Sequence, residues 1–400
     1  MDIKKIKECF PVLNNNPGLA YLDSAASSLK PKQVIDKIMY YYNELGVNVN
    51  RGVYDLSYRA TDLYEDSRRV VAKFINANED EIVFTRGASA SLNLVASSYM
   101  EFINEGDEII TTLQEHHSAM MPWLNVCKKK NAKLIYIPLN EEGKVTIEAF
   151  KSVLSNKTKV VSINHVSNVL GYTNPIKEIC ALAHSVGAVV SVDGAQSVPH
   201  LKIDVKDLDC DFLSFSGHKM CGPSGVGVLY GKKELLDKMP PVEFGGDMAQ
   251  DVFPYEMTFK DAPYKFETGT PLISEVIGLA EACKFLEGIG LENIKAHELE
   301  LKKYAIEKLK DVEGITIYNN NLDSSLISFN IDGVHPHDAA SIFDKNKVCL
   351  RAGYHCAQPI TRFLKQISTL RCSFYFYNDF EDVDKLVSSI IEARDFFLSF

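Results

Sequence analysis

The segment RAGYHCAQP, residues 351–359, places a single cysteine, Cys356, beside His355 and close to Arg351. The reactive form of a cysteine is the thiolate, and neighbouring positive charges favour the thiolate over the thiol. A thiolate in a loop of small residues can attack an electrophilic atom and form a covalent intermediate. Cys356 is therefore the candidate nucleophile of this chain.

A second set of chemically capable residues follows two apolar runs in the middle of the chain. SVDGAQS (191–197) and SFSGHKMCGPSGVG (214–227) place polar side chains where each run stops. Ligands of open α/β sheets bind at the carboxyl ends of the strands, so we expect one cleft lined by Asp193, Gln196, Ser216, His218 and Lys219. A lysine there is suited to an imine with an aldehyde cofactor, and an aspartate on a neighbouring strand can keep a pyridinium nitrogen protonated. Considered singly, Asp193 could instead cap the next helix and Lys219 could be a solvated loop residue.

The glycine-rich stretch GPSGVG, residues 222–227, does not indicate a dinucleotide site. Its glycine spacing is wrong for that fingerprint, and it leads into the apolar run VGVLYG instead of opening a helix. We therefore reject a Rossmann-type dinucleotide-binding function.

Composition and charge exclude several other functions. The 400 residues carry a formal net charge of −10, which repels phosphate backbones, and no basic run with interleaved aromatic residues is present. We expect no nucleic-acid partner. No run reaches the ~18 apolar residues that a membrane span needs, and residues 1–13 lack the apolar core of a signal peptide. We expect a cytoplasmic protein without a membrane partner.

The nine cysteines predict neither disulfides nor a metal site. They are odd in number and irregularly spaced, and no two of them are separated by only two residues. We predict that they are reduced, that no metal is bound, and that all but Cys356 are small buried apolar residues.

Seven short apolar runs between residues 81 and 231 predict the scaffold that positions the polar residues. The runs alternate with helix-like segments, which is typical of a mostly parallel sheet with helices on both faces. One intervening segment, IKEICALAHSVG (176–187), is an amphipathic helix that ends at a glycine. The runs are EIVFT, DEIITT, KLIYIPL, KVVSINHVS, AVVSVDG, DFLSFSGHK and GVGVLYG. They predict an α/β fold.

The chain exceeds the size at which one hydrophobic core stops growing, so we expect two domains. We predict a segment over residues 1–20 that packs with the small domain, a large cofactor-binding domain over 21–284, and a smaller α+β domain over 285–400 that carries the Cys356 loop. The small domain is expected to hold a long charged helix, the strands GITIYNN, SLISFNI, VCLRAG and TLRCSFY, and a closing helix over 381–400. The irregular segment 239–271 is a candidate functional loop.

Eight motifs in this order resemble those of cysteine desulfurases of the SufS type, which are class V aminotransferase relatives that use pyridoxal phosphate. The motifs are YLDSAAS, RGASASLNLVA, EHHSAMMPW, HVSNVLG, VDGAQSVPH, SFSGHKMCGPSGVGVLYG, FETGTP and RAGYHCAQP. The resemblance runs from about residue 10 to the C-terminus. It implies a fold-type-I pyridoxal phosphate enzyme with a large, mostly parallel-sheet domain and a small α+β domain.

The resemblance implies a role for each matching residue around the cofactor. Lys219 would be the Schiff-base lysine, Asp193 the partner of the pyridine nitrogen, and His116 the residue that stacks on the ring. Contacts to the ring hydroxyl and the phosphate would come from Gln196 and Asn168, and from Ser89, Ser216, His218 and the second subunit's own copy of Thr270.

The resemblance also implies the reaction and the partners. L-Cysteine would be converted to L-alanine, its sulfur would form a persulfide on Cys356, and Lys219 would move the proton. An acceptor protein similar to SufE or SufU would then collect the sulfur for iron–sulfur cluster assembly, and the enzyme would be a homodimer. The substrate would be bound by Arg371, which matches the family's carboxylate-binding arginine, together with Asn168, Ala25, Ala26 and Arg351.

Two alternatives remain open at this point. The same scaffold hosts selenocysteine lyases and cysteine sulfinate desulfinases, in which the cysteine is dispensable. A more remote alternative is a cofactor-free thiol relay protein in which Lys219 is inert.

Several positions differ from the family's pattern. Tyr354 replaces the first of two histidines that commonly precede the loop cysteine, which leaves one fewer imidazole for the transfer step. Ala90 stands where the phosphate loop usually has a glutamate, and Asn50 and Tyr54 stand where histidines are frequent near the substrate entrance.

Overall fold

The structure is a computed structural model that describes residues 1–398. Its strands are β1 (Ala20–Tyr21), β2 (Ile82–Thr85), β3 (Glu108–Thr111), β4 (Lys133–Tyr136), β5 (Thr158–Asn164), β6 (Val189–Asp193), β7 (Phe212–Ser216), β8 (Gly227–Gly231), β9 (Ala249–Val252), β10 (Met257–Phe259), β11 (Ile315–Ile317), β12 (Leu326–Ile331), β13 (Val348–Cys349), β14 (Arg351–Gly353) and β15 (Thr369–Ser373).

Helices connect these strands and cover the sheets. They are α1 (Ile3–Glu8), α2 (Pro11–Asn15), α3 (Lys32–Tyr40), α4 (Asp55–Phe74), α5 (Ala88–Tyr99), α6 (His117–Lys130), α7 (Ile147–Val153), α8 (Ile176–Ser185), α9 (Val205–Leu208), α10 (Lys233–Lys238), α11 (Ile273–Ile289), α12 (Leu291–Leu309), α13 (Pro336–Lys345), α14 (Gln358–Phe363) and α15 (Phe380–Leu398).

The large sheet has seven strands in the order β2-β8-β7-β6-β5-β3-β4. The five strands from β7 to β4 are parallel, whereas β8 runs antiparallel to both of its neighbours. Each predicted apolar run supplies one strand, so the expected α/β fold is confirmed. The helix predicted over residues 176–187 is α8.

Helices cover both faces of this sheet, which explains why its central strands are mostly apolar. Buried serines also occur in these strands, namely Ser162, Ser191 and Ser214. Val160 belongs to a core shared with α5 and α6, whereas the next residue, Val161, belongs to a core shared with α4, α8 and α11. Successive side chains of a strand point to opposite faces, so both must be apolar. Polar residues are accommodated where the strands end, and there Asn164 of β5 lies beside Asp193 of β6.

The second sheet is antiparallel, with four strands in the order β11-β12-β15-β14. Its core joins Phe329 of β12 and Leu370 of β15 to apolar residues of α12, α13 and α15. The N-terminal residues contact this part of the chain, since β1 pairs with β13 and Lys7 forms ion pairs with Asp379 and Asp382. The domain boundaries at residues 20 and 284 stay a prediction.

Two expected elements differ from the structure. VCLRAG does not form one strand, because β13 pairs with β1 while β14 pairs with β15, and Leu350 separates the two. The segment 239–271 contains the antiparallel hairpin of β9 and β10, whose side chains are mostly exposed and so lack the alternation that marks a half-buried strand.

The closing helix expected over residues 381–400 is α15, and residues 399–400 lie outside the described part of the chain. Among the described helices, none is both long enough and apolar enough to cross a membrane.

Candidate active site

A cavity of about 230 Å³ lies at the carboxyl ends of β5, β6 and β7. Of the fourteen site residues predicted from the sequence, all except Thr270 line it. Its lining residues are Ala25, Ala26, Ala88, Ser89, His116, Ser118, Asn164, Val166, Asn168, Asp193, Ala195, Gln196, Ser216, His218, Lys219, Arg351, His355, Cys356 and Arg371.

Lys219 and Asp193 enter the cavity from the ends of neighbouring strands. Lys219 ends a 3-10 turn directly after β7, and its Nζ makes no hydrogen bond with the described residues. Burial lowers the pKa of Lys219 to about 8, against the opposing attraction of Asp193. Asp193 ends β6 and accepts a hydrogen bond from the Ala195 N–H at 2.9 Å, while burial raises its pKa. The site therefore holds a lysine that loses its proton more readily than an exposed one.

The start of α5 forms an anion cradle next to this pair. The Ala88 N–H donates to Ser216 Oγ at 2.8 Å, and the hydroxyls of Ser89 and Ser118 lie 2.6 Å apart. The first N–H groups of a helix have no intrahelical acceptors and attract anions. A Cβ at Gly227 would come within 2.4 Å of the Gly87 Cα, so this close approach of β8 requires glycine.

His116 caps the other helix that points at the cavity, α6. Its Nδ1 accepts from the Ser118 N–H at 3.2 Å and lies 3.0 Å from the Ser118 hydroxyl. Burial, with the positive charge of Lys219, lowers the pKa of His116 to about 4. The His116 ring is therefore neutral near neutral pH.

The Cys356 loop reaches the cavity from the small sheet. Of the nine cysteines, all of which are described, only Cys356 is exposed, while Cys9 and Cys349 are partly exposed and the rest buried. His355 and Cys356 both have left-handed backbones, with φ of 52° and 53°. Non-glycine residues rarely adopt this conformation. Hydrogen bonds from other segments of the chain hold the loop in place. The His117 N–H donates to the Cys356 carbonyl at 2.8 Å, and Asn168 Nδ2 donates to the His355 carbonyl at 2.8 Å.

His355 does not supply the positive charge expected from the sequence. Its ring is buried, Nε2 lies 2.8 Å from Thr369 Oγ1, and burial with nearby Arg371 lowers its pKa to about 2. A neutral imidazole cannot favour a thiolate by its charge. The cations that line the cavity with Cys356 are Lys219, Arg351 and Arg371, and Arg351 is paired with Asp23 at 3.2 Å.

Arg371 lies on β15 and is 2% exposed, so it is not an ordinary surface ion-pair residue. Its Nη1 donates to the Asn168 carbonyl at 2.9 Å, its Nη2 lies 3.4 Å from Asp23 Oδ1, and its Nε has no partner among the described residues. Arg351 Nη2 lies 3.2 Å from the other oxygen of Asp23. A planar guanidinium with an unused N–H suits a carboxylate ligand.

Asp23 was missed by the sequence analysis, although it stands in the motif YLDSAAS. Its partners are more than 300 residues away in the chain, so no local spacing reveals them. Asn164 was missed in the same way. It ends β5 inside the run KVVSINHVS, and only its strand register shows that it lines the cavity.

Gln196 and Asn168 line the site and also connect separate parts of the chain. Asn168 does so through its bonds to His355 and Arg371. Gln196 Nε2 donates to the Ala25 carbonyl at 2.7 Å, and the Ala25 N–H donates to Ser373 Oγ at 2.9 Å. These bonds fix the Ala25 and Ala26 backbone between the two sheets.

Thr270 lies outside this cavity. It lines a neighbouring one of about 500 Å³, together with Arg86 and Ala90 of the loop that precedes and opens α5. Glu267, three residues before it, forms a two-bond ion pair with the buried Arg68, at 2.7 and 2.9 Å. In the single chain, Thr270 therefore does not contact the Lys219 site.

Known proteins resemble this chain over almost its whole length. Residues 20–386 match the family described as "Aminotransferase class-V". The chain belongs to this family. A relative from Halalkalibacterium halodurans named "Probable cysteine desulfurase" is 50% identical over 402 residues, with 99% of each chain covered. A relative of the same name from Staphylococcus epidermidis is also 50% identical, over 403 residues, with 99% of this chain and 98% of the relative covered.

Solved structures of such proteins superpose closely. The cysteine desulfurase CsdA from Escherichia coli has a TM-score of 0.93 at 37% identity, with 99% of each chain covered. An apo cysteine desulfurase from Thermococcus onnurineus NA1 has a TM-score of 0.94 at 38% identity, with 99% and 98% covered. The resemblance inferred from the eight motifs is thereby confirmed.

Class-V aminotransferases use pyridoxal phosphate, as the resemblance implied. The cavity fits this cofactor by its donor set. Lys219 offers an amine without a hydrogen bond in the described structure, Asp193 offers a carboxylate, and the start of α5 offers the hydroxyls of Ser89, Ser118 and Ser216 around it. The amine can react with the aldehyde of the cofactor, the carboxylate can pair with its pyridine nitrogen, and the groups at the start of α5 can bind its phosphate.

Proposed function

We propose that this chain is a cysteine desulfurase that converts L-cysteine to L-alanine and passes the sulfur to Cys356 as a persulfide. The observation that carries the proposal is that the one exposed thiol lines the same cavity as Lys219 and Arg371. The names of the most similar curated relatives support the same activity.

Cofactor binding would use the residues at the strand ends. Lys219 would attach the cofactor, Asp193 would face the pyridine nitrogen, and the neutral His116 ring would lie against the pyridine. The ring hydroxyl and the phosphate would be contacted by Gln196, Asn168, Ser89, Ser216 and His218. Pyridoxal phosphate held there supplies an electron sink for the carbon atoms of an amino acid.

Substrate binding would use the arginine at the other side of the cavity. The Arg371 guanidinium would hold the carboxylate of cysteine, with Ala25, Ala26 and Asn168 shaping the pocket and Arg351 at its open side. In this orientation the substrate side chain would face the Cys356 loop, which lines the same cavity as Arg371. Because its pKa is lowered to about 8, Lys219 can take a proton from the substrate Cα and return one to Cβ near neutral pH.

The proposed transfer step needs no external oxidant or reductant. The Cys356 thiolate attacks the sulfur of cysteine, a sulfur–sulfur bond forms, and the bond between Cβ and sulfur breaks with its electron pair left on carbon. Protonation of Cβ then gives alanine, and Cys356 keeps the sulfur as a persulfide.

We propose that an acceptor protein, similar to SufE or SufU, collects this sulfur for iron–sulfur cluster assembly in the cytoplasm. The contacts of the Cys356 loop with His117 and Asn168 support an acceptor whose own thiol enters the cavity, since a held loop cannot carry the sulfur far. A homodimer is also part of the proposal, with Thr270 of one subunit reaching the phosphate of the other. Thr270 lies in the large cavity beside α5, which supports that placement.

The deciding experiment measures alanine released from L-cysteine with a thiol reductant, using wild type and Cys356→Ala, both loaded with pyridoxal phosphate. Alanine from the wild type alone is the expected result. Equal release by both would remove Cys356 as the nucleophile and favour a selenocysteine lyase or a cysteine sulfinate desulfinase. A protein that stays colourless with added pyridoxal phosphate would favour the thiol relay.

A further inference from the structure

Glu115 is a buried acid that neither the cofactor nor the substrate is proposed to touch. It lies in the turn between β3 and α6, immediately before His116, and is 1% exposed. One of its oxygens, Oε1, accepts three hydrogen bonds, from Thr112 Oγ1 at 2.8 Å, the Asn164 N–H at 3.0 Å and Asn164 Nδ2 at 2.9 Å. The other, Oε2, is buried and has no partner among the described residues.

These bonds join the turn that carries His116 to the strand end beside Asp193. Asn164 is the last residue of β5 and is in register with Asp193 of β6. Asn174 Nδ2 adds contacts of 2.8 Å to the Asn164 carbonyl, 3.0 Å to its Oδ1 and 3.1 Å to Gln114 Oε1. A change at Glu115 would therefore move His116 relative to Asp193.

The surroundings of Glu115 favour its neutral form. Its own turn presents Thr112, Gln114 and the neutral His116, β5 presents Asn164, the segment after β5 presents Asn174, and β6 presents the carboxylate of Asp193. In the described structure no lysine or arginine pairs with it. A buried, unpaired carboxylate next to a second one is expensive, whereas a carboxylic acid is not.

The pKa direction agrees with this geometry. Burial, with a smaller contribution from Asp193, raises the pKa of Glu115 to about 8 against the opposing hydrogen bonds from Asn164 and Thr112.

We propose that Glu115 is a positioning residue that works as a neutral carboxylic acid, holding the His116 turn against β5 and leaving Asp193 as the ionised carboxylate beneath the cofactor. The inference rests on the roles proposed above for His116 and Asp193. It assigns to Glu115 no contact with the reacting atoms.

The first test asks whether Glu115 carries a proton. Infrared difference spectra of the loaded, full-length protein and Glu115→Gln, recorded near neutral pH, are expected to contain the carbonyl stretch of a protonated carboxyl in the wild type only. If the difference shows a carboxylate band instead, Glu115 is ionised and the proposal fails. No substrate is added, so this result does not depend on desulfuration.

The second test uses the pH dependence of unfolding. An acid whose folded pKa is raised contributes stability that is fully present below its unfolded pKa and is lost as pH rises toward about 8. Relative to Glu115→Gln, the wild type should therefore lose stability from acid to neutral pH, with a slope that approaches about one proton per chain. A difference that is constant with pH would contradict a neutral Glu115.

A matched control is Asp211→Asn. Asp211 is also buried, but it is paired with Lys232 at 2.9 Å and with His184 at 2.8 Å. Removing this paired carboxylate should destabilise the protein, because it leaves the partly buried side chains of Lys232 and His184 without this partner, whereas the Gln substitution at Glu115 should not destabilise it at neutral pH.

The third test separates positioning from bulk stability. The absorption and circular dichroism of bound pyridoxal phosphate should be unchanged in Glu115→Gln, which keeps the Oε1 acceptor, and altered in Glu115→Ala. If Glu115→Ala folds and binds the cofactor with an unchanged spectrum, the positioning role is wrong. If Glu115→Ala does not fold, Glu115→Asp replaces it, because its shorter side chain cannot reach Asn164. If the loaded wild-type protein releases no alanine from L-cysteine, the proposed function fails, whereas the spectra of the Glu115 variants still decide the positioning role.

Discussion

Asp193 and Lys219 form the floor of the cavity, where Asp193 ends β6 and Lys219 follows β7. Cys356 is exposed at the mouth of the cavity, in the loop between β14 and α14. The floor residues are positioned by strand register, which extends through the core. The mouth is positioned by hydrogen bonds from His117 and Asn168 to a backbone in the left-handed region. The buried amine and carboxylate thus lie at the ends of strands in the core, and the exposed thiol lies on a loop.

Breaking the floor should have the largest effect, because it should remove both catalysis and the attachment of the cofactor. We expect Lys219→Ala to lower alanine formation by ~10²–10⁴-fold, the usual contribution of a positioned acid–base group, and to abolish covalent attachment of the cofactor. Cys356→Ala should also stop alanine formation but keep the cofactor spectrum of the wild type. Absorption spectra and alanine assays of the two variants separate floor from mouth. A changed cofactor spectrum in Cys356→Ala would contradict the separation.

Weakening the packing of β5, the strand that ends at the floor of the cavity, should have the largest effect on stability. Ile163 is fully buried on β5, next to Asn164, and Ile163→Ala should lower the free energy of unfolding by about 2–5 kcal/mol, because it leaves a cavity in a close-packed core. Ile367 is 89% exposed before β15, and Ile367→Ala should leave the free energy of unfolding unchanged. Denaturant titrations compare the two, and equal losses would show that the core argument is wrong.

The substrate side of the cavity should show an intermediate effect. Arg371→Lys keeps the charge but removes the fork, and the loss of one charge-assisted hydrogen bond, about 1.5–3 kcal/mol, should raise the KM for L-cysteine about 10- to 100-fold. Arg362→Lys, on the exposed face of α14, should leave KM as it is. Steady-state kinetics with both variants checks this, and the proposed carboxylate contact fails if Arg371→Lys affects kcat only.

Substitutions at the mouth should have the smallest effect on stability. Glycine is less stable than alanine inside a helix or strand, but the order should be reversed at this position. At Cys356, with φ of 53°, glycine should be more stable than alanine by about 1–2 kcal/mol, since a Cβ is unfavourable in the left-handed region. The measurement is the free energy of unfolding of Cys356→Gly against Cys356→Ala. If alanine is the more stable residue, the loop does not store backbone strain.

The floor was predictable from the sequence and the mouth only in part. Asp193 and Lys219 stand directly after apolar runs, and parallel-sheet topology brings such positions together. The pairing of Asp23 with Arg351 and Arg371, and the bonds of Glu115 to Asn164, depend on tertiary contacts that no spacing encodes.

The remaining misses have local physical causes. The neutrality of His355 follows from burial against Thr369, which composition does not reveal. The β9–β10 hairpin lacks a buried face and therefore leaves no alternation in the sequence.

The carboxylate of Asp23 spans both arginines of the cavity before any ligand arrives. Two guanidinium groups share this one carboxylate, so a net charge of +1 remains for an incoming anion. Asp23 also keeps both guanidinium groups in place, which leaves the unused Nε–H of Arg371 as a fixed donor. A planar carboxylate therefore gains from both charge and geometry, whereas tetrahedral anions such as inorganic phosphate and sulfate gain mainly from charge.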